Sequence, residues 1–361
     1  MRVVVVGATG NVGTALLRRL AVEPAVDAVT GVARRLPHDG AGPPYQDVAW
    51  RAIDIGAPSA VAPLTEVFDG AGAVVHLAWQ IQPSHDRRQL RRTNVTGTAH
   101  VAEAAVRAGV PALVVASSVG AYAPGPKDPP VAEGWPVTGV RGSTYSADKA
   151  AQESLLDRVS REHPGLRLVR LRPGLIFQRD AGSEIARYFI GPLAPLGLLA
   201  AGRLPVLPRH PRLRVQALHA DDVADAYAKA VVSDVRGAFN LASAPVLDGE
   251  VLAQRFGGVT VPVPPAALVA GAAATWYARL QPTEPGWVRL AAACPLLSTR
   301  RAEAELGWQP RVDAVAALAE LLDGMARRTG MPVAPLRPRP GAASRAVALL
   351  SGRLPGHGNP Y

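Results

Sequence analysis

Short apolar runs alternate with segments of helical periodicity along the first half of the chain. Between two of these runs, residues 94–108 place apolar side chains three or four positions apart, which predicts a helix. Strands that alternate with helices indicate right-handed βαβ units and a parallel sheet with helices on its faces. The runs that predict strands are Val3–Val6, Ala28–Val32, Ala73–Leu77, Ala112–Ala116 and Leu166–Leu171, with Phe239–Leu241 later.

A glycine-rich turn joins the first predicted strand to the first predicted helix. Residues 7–13 read Gly-Ala-Thr-Gly-Asn-Val-Gly and lead directly into an apolar helical segment. Gly7 permits the tight turn, Gly10 lets the backbone approach a pyrophosphate, and Gly13 lets the helix pack on the strand. The helix N-terminus presents unpaired N–H groups to such a ligand. Any tight strand-to-helix turn can need glycine, so the dinucleotide site is a hypothesis that depends on the rest of the chain.

The alternation is lost from about Phe177, where proline and glycine become frequent. We predict an α/β fold, a doubly wound Rossmann-type parallel sheet with a smaller, partly helical C-terminal substrate lobe. The dinucleotide-binding domain is predicted to cover residues 1–176, with 215–245 returning to it. Residues 177–214 and 246–330 are assigned to the substrate lobe, and 331–361 to a Pro/Arg-rich tail.

Composition restricts the classes of partner. The 361 residues are 48% hydrophobic and 19% charged, which allows a sizeable core. The net charge of +10 comes mainly from scattered arginines without the interleaved aromatic residues of a nucleic-acid groove, so no nucleic acid is expected. The expected partner is a small-molecule substrate, and a homodimer remains open.

The chain shows no sign of export or membrane insertion. Cys294 is the only cysteine, which rules out an intrachain disulfide and a cysteine-based metal site, and no metal is expected. The first apolar run is too short for a signal peptide, and the later apolar stretches around 190–201 and 266–274 are too short to span a bilayer. We therefore expect a cytoplasmic protein.

Three residues carry candidate chemistry. Tyr145 and Lys149 are four residues apart at a predicted helix start, so they share one face. The ammonium favours the phenolate and lowers the phenol pKa, so Tyr145 can exchange a proton with a hydroxyl or carbonyl as hydride moves. Ser118 follows a strand and can hydrogen-bond the reacting oxygen. The alternatives are a surface tyrosine beside a solvated lysine, and a capping serine.

Together, the glycine turn, the serine after a strand and the Tyr-x-x-x-Lys motif occur in the order typical of the short-chain dehydrogenase/reductase superfamily. The chain resembles the extended branch of that superfamily, the NAD-dependent epimerase/dehydratase family, over about residues 1–325. Further segments that resemble family motifs are His76-Leu77-Ala78-Trp79, Asn94–Thr98, Arg172-Pro173-Gly174, His219–Ala224 and Glu305–Pro310.

The resemblance implies a role for each matching residue. Tyr145 is implied as general acid/base, Lys149 as its pKa partner and a ribose ligand, and Ser118 as the donor to the substrate oxygen. Asp54 resembles the contact to the adenine edge, and Asn94 has a supporting role. The full implied cofactor contact set is Gly7, Thr9, Gly10, Asn11, Val12, Gly13, Arg34, Arg35, Asp54, Ile55, Leu77, Ala78, Trp79, Asn94, Tyr145, Lys149 and Pro173.

Four further polar residues are interpreted as structural. His76 and His219 stand at strand ends, where histidines more often support the fold than react. Asp221 and Asp222 are interpreted as helix-capping and packing residues.

The second strand departs from the pattern of NAD-preferring members, which place an acid about 20 residues beyond the glycine turn. Here the segment reads Ala33-Arg34-Arg35. Two guanidinium groups cannot accept the ribose hydroxyls and instead suit a 2′-phosphate. NADP(H) is therefore favoured, and NAD(H) remains possible with both arginines solvated.

Other departures concern the substrate. Val119 and Gly120 replace the acidic pair of the sugar-nucleotide dehydratases, and 215–218 lack the arginine that holds a sugar-nucleotide diphosphate. The sequence therefore predicts an NAD(P)-dependent oxidoreductase acting on a less polar carbonyl or alcohol. A nucleotide-sugar epimerase with tightly bound NAD is the alternative, and a noncatalytic dinucleotide-sensing regulator is a third hypothesis.

Overall fold

The computed structural model describes residues 1–82, 84–190, 206–278 and 283–338. Its centre is a parallel sheet of seven strands. The strands of the described residues are β1 (Arg2–Val6), β2 (Ala28–Ala33), β3 (Ala49–Ala52), β4 (Ala73–His76), β5 (Ala112–Ala116), β6 (Arg167–Pro173), β7 (Leu175–Phe177), β8 (Val206–Arg209), β9 (Val215–His219), β10 (Gly237–Leu241), β11 (Ser243–Leu247) and β12 (Val259–Pro262). The central order is β10-β6-β5-β4-β1-β2-β3. The chain changes direction across the sheet at β1, and open α/β sheets bind ligands at the carboxyl edge beside such a point.

The predicted doubly wound sheet is confirmed. Central strands such as β1 are buried on both faces, which is why they read as continuous apolar runs. The sequence did not predict β3, because this edge strand is largely exposed and reads Ala-Trp-Arg-Ala. It pairs with β2 at a position where Gly31 leaves room for the Trp50 ring.

Helices cover both faces of the sheet. The helices are α1 (Asn11–Leu20), α2 (Val61–Phe68), α3 (Arg87–Arg91), α4 (Gly97–Arg107), α5 (Thr144–Glu162), α6 (Gly182–Ile185), α7 (Ala220–Val232), α8 (Gly249–Phe256), α9 (Pro265–Tyr277), α10 (Pro285–Ala293), α11 (Arg300–Leu306) and α12 (Ala314–Arg327). The core on one face joins α1, α7 and α12, and the core on the other joins α2, α4 and α5. Two single π-helical turns, Arg92–Thr96 and Ala186–Ile190, adjoin α4 and α6.

The described residues also form smaller sheets. Strand β9 pairs with β7 and β11, and β8 pairs with β12. Buried polar contacts tie α7 to the late Trp308 segment: the Asp222 carboxylate accepts hydrogen bonds from the backbone of Arg311 and Val312, each at 3.0 Å, and Trp308 Nε1 donates to the Asp222 carbonyl. Asp222 is thus a packing residue.

Asp221, interpreted from the sequence as a capping residue, does not cap α7. His219, rather than Asp221, caps α7, because its Nδ1 accepts a hydrogen bond from the Asp221 backbone at 3.2 Å.

The first part of the predicted tail packs on the core. Val333 and Leu336 are fully buried, and the rest of that segment, 339–361, lies outside the described residues, as do 191–205. Within the described ranges, no helix is both long and apolar enough to cross a membrane.

Candidate active site

The glycine turn lies against the end of β4. Gly7 has φ of +91°, and a Cβ there would come 2.5 Å from the Ala78 backbone nitrogen. A Cβ at Gly13 would collide with the Gly7 carbonyl. Two of the three glycines are therefore required by the packing of the chain itself, which places the Leu77–Ala78 segment directly beside the turn.

In contrast, the packing of the chain does not require glycine at position 10. Its φ is −80°, and an added Cβ would meet only the Gly7 carbonyl at an ordinary 3.5 Å. Gly10 is also the N-cap of α1, and neither a capping side chain nor an acidic residue occupies the first turn of that helix. The N-terminus of α1, which includes Asn11 and Val12, thus keeps its positive end available to an outside anion.

The segment after β4 is held in place by Asn94. Its Oδ1 accepts from the Gln80 backbone nitrogen at 2.8 Å, and its Nδ2 donates to the Gln80 carbonyl at 3.0 Å. Asn94 is buried in the π-helical turn Arg92–Thr96, so it fixes the loop that carries Trp79.

Ser118 and Tyr145 meet at the carboxyl edge of β5. Ser118 lies two residues after the strand, and its Oγ accepts from the Gly120 backbone nitrogen at 3.0 Å. Tyr145 lies in the first turn of α5, and its interaction with Ser118 acts to lower the phenol pKa. A Cβ on Gly120 would come 2.7 Å from the Tyr145 ring, so the glycine allows the phenol to reach the serine.

Hydrogen bonds connect the start of α5 to the turn after Ser118. Ser143 caps α5 by accepting from the Ser146 backbone, and Ser146 Oγ donates to the Gly120 carbonyl and accepts from the Val140 backbone nitrogen. These contacts fix the height at which Tyr145 projects from α5.

Lys149 lies on the same face of α5 as Tyr145, and its ammonium is directed at Ala116 and Gln152. Its Nζ donates to the Ala116 carbonyl at 2.7 Å and to Gln152 Oε1 at 3.0 Å. The same nitrogen lies 3.4 Å from the centroid of the Trp79 ring, which contacts Tyr145 edge-on with centroids 6.1 Å apart. The Trp79 indole therefore covers the ammonium.

The pKa values differ from the expectation that Lys149 lowers that of Tyr145. Burial raises the pKa of Tyr145 to about 12, and the nearby Ser118 acts against this. Burial also lowers the pKa of Lys149 well below its ordinary value. In this arrangement the ammonium is directed at Ala116 and Gln152 and covered by Trp79, and its effect on the Tyr145 pKa stays a prediction.

A buried polar chain links Lys149 to the Asn94 turn. Gln152 accepts from Lys149 and donates to Thr98 Oγ1 at 3.2 Å, and Thr98 in turn donates to the Asn94 carbonyl at 2.7 Å. His76 Nε2 lies 3.0 Å from the same Thr98 oxygen, and burial lowers the pKa of His76 to about 3. His76 is thus a neutral structural residue, as interpreted from the sequence.

The sequence did not predict a buried cluster of ion pairs around Glu153. Glu153 accepts hydrogen bonds from Ser117 at 2.5 Å, from Arg172 at 2.7 and 2.9 Å and from Arg170 at 2.7 Å. Burial alone would raise the pKa of Glu153, but the two guanidinium groups hold it at about 2. Glu153 stands one helical turn after Lys149, and this spacing was the signal available in the sequence.

The arginines after β2 stand at the same edge of the sheet. Arg34 and Arg35 are exposed, and Ala33 before them is buried. With its amide turned to satisfy both partners, the Gln80 oxygen accepts from Arg34 Nη1 and Nη2 at 3.0 and 2.9 Å. Arg34 therefore reaches the loop after β4.

The remaining predicted contact residues have partners within the chain. Asp54 pairs with Arg92 at 3.1 Å, and Ile55 is buried against Gly97. Pro173 ends β6 in register with Leu241 of β10, and Thr9 lies buried in the glycine turn.

Comparison with known proteins gives the family. The model of the NAD dependent epimerase/dehydratase family matches residues 3–242. The L-arabinose 1-dehydrogenase (NAD(P)(+)) of Haloferax volcanii is 30% identical over 213 residues, which are 52% of this chain and 74% of that protein.

The hybrid PKS-NRPS synthetase poxE of Penicillium oxalicum is 31% identical over 121 residues, 33% of this chain. The match spans only 3% of the synthetase, so this chain corresponds to a small part of that protein.

Among solved structures, the fold is similar to that of the Thermus thermophilus UDP-glucose 4-epimerase in complex with NAD. The TM-score is 0.64 at 22% identity, over 91% of this chain and 99% of the epimerase. Because the family model covers more than half of the sequence, the chain belongs to the NAD-dependent epimerase/dehydratase family.

Proposed function

We propose that this protein is an NAD(P)-dependent oxidoreductase that transfers hydride between a nicotinamide and a small carbonyl or alcohol, with NADP(H) as the preferred cofactor. The observation that carries the proposal is the packing of the Tyr145 ring on Gly120, in the turn that Ser118 begins after β5, with Lys149 on the same helix face. The dehydrogenase of Haloferax volcanii, named for use of NAD(P)⁺, is a relative with this type of activity.

The residues present fit a dinucleotide. Gly10 has no packing or backbone reason to be glycine, and the uncapped N-terminus of α1 follows it. A backbone that must approach a pyrophosphate accounts for both features. The glycine turn and α1 would hold the phosphates, and the segment Leu77–Trp79 would border the nicotinamide half.

When bound, the cofactor supplies or accepts the hydride. Ser118 Oγ hydrogen-bonds the substrate oxygen and orients it. In reduction, Tyr145 gives its phenolic proton to that oxygen, and in oxidation it removes the proton from the alcohol. A pKa near 12 keeps the phenol protonated at neutral pH, which suits the reductive direction.

Lys149 supports this proton transfer once its ammonium is released from Trp79. Turned towards the cofactor ribose and Tyr145, the positive charge would stabilise the phenolate and lower the phenol pKa. Gln152 and the Ala116 carbonyl hold the ammonium within the site.

The preference for NADP(H) rests on the charge after β2. The buried Ala33 offers no carboxylate to the ribose hydroxyls, whereas Arg34 and Arg35 provide two guanidinium groups at the carboxyl edge. Planar, permanently charged guanidinium groups match a phosphate monoester.

Aromatic side chains favour a less polar substrate. The Tyr145 ring lies 4.7 Å from Trp287 and 6.1 Å from Trp79, and Phe189 packs edge-on against Trp287 at 5.1 Å. Neither Val119 nor Gly120 of the adjoining turn carries an acid for water elimination. A site lined by these aromatic side chains suits an apolar or aromatic carbonyl compound.

A nucleotide-sugar epimerase is the second candidate, because the fold matches the UDP-glucose 4-epimerase along almost its full length. An epimerase retains its NAD⁺ through the catalytic cycle, whereas the proposed reductase exchanges its cofactor. Native mass spectrometry of the purified protein distinguishes the two. We expect no dinucleotide to survive dialysis and NADPH to rebind; stoichiometric retained NAD⁺ would support the epimerase.

A further inference from the structure

Strands β8 and β12 form a two-stranded parallel ribbon with one apolar face open to solvent. Val206 pairs with Val259, and Pro208 pairs with Val261. Alternate residues of a strand point to the same side and paired residues lie side by side, so these four side chains share one face. All four are exposed, with Val206 at 61%, Val259 at 62% and Val261 at 41%. Together they define the ribbon face.

The opposite side of the ribbon packs on the protein. Leu207, which lies between Val206 and Pro208, is buried. A Cβ at Gly249, the first residue of α8, would come 2.7 Å from the Pro208 carbonyl oxygen. The ribbon therefore has a fixed inner side, and the valines of the ribbon face are held outward. A group of apolar side chains held outward in this way marks a contact surface, unlike single exposed residues scattered over a protein.

The apolar surface continues from the ribbon into α9. The Val263 backbone nitrogen donates to the Arg209 carbonyl at 3.1 Å, which extends the pairing of β12 with β8, and α9 begins two residues later. The 13 residues of α9 include no charged side chain, and Tyr277 at its end is 75% exposed. Exposed tyrosines beside apolar surface are typical of membrane–water interfaces, because the ring is apolar and the hydroxyl stays in water.

Arginines stand at both ends of the ribbon. Arg255, in the last turn of α8, precedes β12, and Arg209 and Arg212 lie at the other end. Arg212 and Arg255 are exposed and form no ion pair within the described ranges, whereas Arg209 pairs with Glu250 at 3.4 Å. In a symmetric contact between two copies of the chain these like charges would meet, whereas an anionic surface attracts them.

We propose that the ribbon face and α9 bind the surface of an anionic membrane, with the valines among the headgroups and the arginines on lipid phosphates. Apolar side chains beside cations are the combination that holds peripheral proteins at such an interface. Both β8 and β12 are edge strands that contain a proline, which disfavours the addition of a peptide strand. The binding is independent of the proposed reaction and needs no helix to cross the bilayer.

Vesicle co-sedimentation of the full chain tests this proposal. The vesicles contain phosphatidylcholine alone, or equal parts of phosphatidylcholine and phosphatidylglycerol. Val259→Asp/Val261→Asp places charge on the ribbon face, and Val259→Thr/Val261→Thr is a milder change that keeps the β-branched shape of strand residues. Val22→Asp is the matched control, because Val22 is 72% exposed and follows α1, outside the ribbon face. Thermal melting verifies that each variant folds.

We expect the wild type to sediment with the anionic vesicles and to stay largely in solution with phosphatidylcholine alone. Val259→Asp/Val261→Asp should lower the partition coefficient roughly tenfold or more, and the threonine pair should lower it less. Arg209→Gln/Arg212→Gln should weaken binding to the anionic vesicles on the order of tenfold, because two cations are removed. Val22→Asp should sediment like the wild type.

A wild type that stays in solution with both kinds of vesicle overturns the proposal. Equal sedimentation of the wild type and the folded ribbon-face variants overturns it as well, because another surface would then bind the lipid. Multi-angle light scattering tests a second copy of the chain as the occupant. A wild-type dimer that Val259→Asp/Val261→Asp converts to a monomer would assign the ribbon face to self-association instead of a membrane.

Discussion

The Nζ atom of Lys149 lies 3.4 Å from the centroid of the Trp79 ring, and the same indole faces the edge of Tyr145. A cation–π contact of this kind is worth about 2 kcal/mol when it is shielded from water. It holds Lys149 away from the phenol whose pKa the lysine is expected to lower. In the proposed mechanism, we therefore expect the Trp79 side chain to turn when the cofactor binds.

Trp79 should report cofactor binding through its fluorescence. Its indole nitrogen is buried without a hydrogen-bond partner among the described residues, so little besides packing and Lys149 holds the ring. Titration with the oxidised cofactor should change the tryptophan emission of the wild type, and Trp79→Phe should lose most of that change. Trp50→Phe is the control, because Trp50 lies at β3 and hydrogen-bonds to Tyr45. If Trp79→Phe keeps the full change in emission seen in the wild type, the Trp79 ring does not move when the cofactor binds.

The pH dependence of the reaction should follow the protonation state of Tyr145. Because burial raises its pKa to about 12, reduction, which needs the phenol, should be level through neutral pH. Alcohol oxidation needs the phenolate and should rise with pH. Lys149→Ala should shift this rise to higher pH, since the positive charge that stabilises the phenolate is removed. An identical pH profile in Lys149→Ala would contradict the role given to Lys149.

Cofactor preference should depend on the arginines after β2. The double variant Arg34→Ala/Arg35→Ala should raise the Kd for NADPH on the order of a hundredfold, because two charge-assisted contacts are lost. The Kd for NADH should change much less. Fluorescence titration of both cofactors measures the ratio of the two Kd values. Arg161→Ala is the charge control, because Arg161 is an exposed arginine in the last turn of α5. Equal weakening of both cofactors would remove the 2′-phosphate assignment.

Glu153 should matter for stability rather than for proton transfer. Its folded-state pKa of about 2 lies below the ordinary value of 4.5, so its contribution is complete above about pH 4.5 and is lost as the pH falls towards 2. Glu153→Gln should lower the free energy of unfolding at pH 7 by about 3 kcal/mol, because Arg172 loses its buried partner.

Urea unfolding checks the Glu153 prediction, and the difference from wild type should shrink between pH 4.5 and 2. Glu103→Gln breaks only the exposed pair with Arg107 and should cost less than about 0.5 kcal/mol. A Glu153→Gln protein as stable as wild type at pH 7 would contradict the account of this cluster.

The sequence predicted the central sheet because each core strand is buried on both faces and reads as an apolar run. It did not predict β3, whose exposed residues carry no pattern, nor that His219 caps α7. The glycine turn, Ser118 and Tyr145 could be found from local motifs. The cover of Lys149 by Trp79 and the pairing of Glu153 with Arg170 and Arg172 depend on contacts between distant segments, which periodicity does not encode.

The most direct test of the proposed reaction follows nicotinamide absorbance with NADPH and a panel of apolar and aromatic aldehydes and ketones. The wild type should consume NADPH continuously with at least one member of the panel. Tyr145→Phe should bind NADPH normally but lose 10²-fold or more of the rate, as roughly expected for loss of a general acid, whereas Tyr277→Phe, at an exposed tyrosine of α9, should react like the wild type. Full turnover by Tyr145→Phe, or retained NAD⁺ with no net NADPH consumption by the wild type, would contradict the assignment.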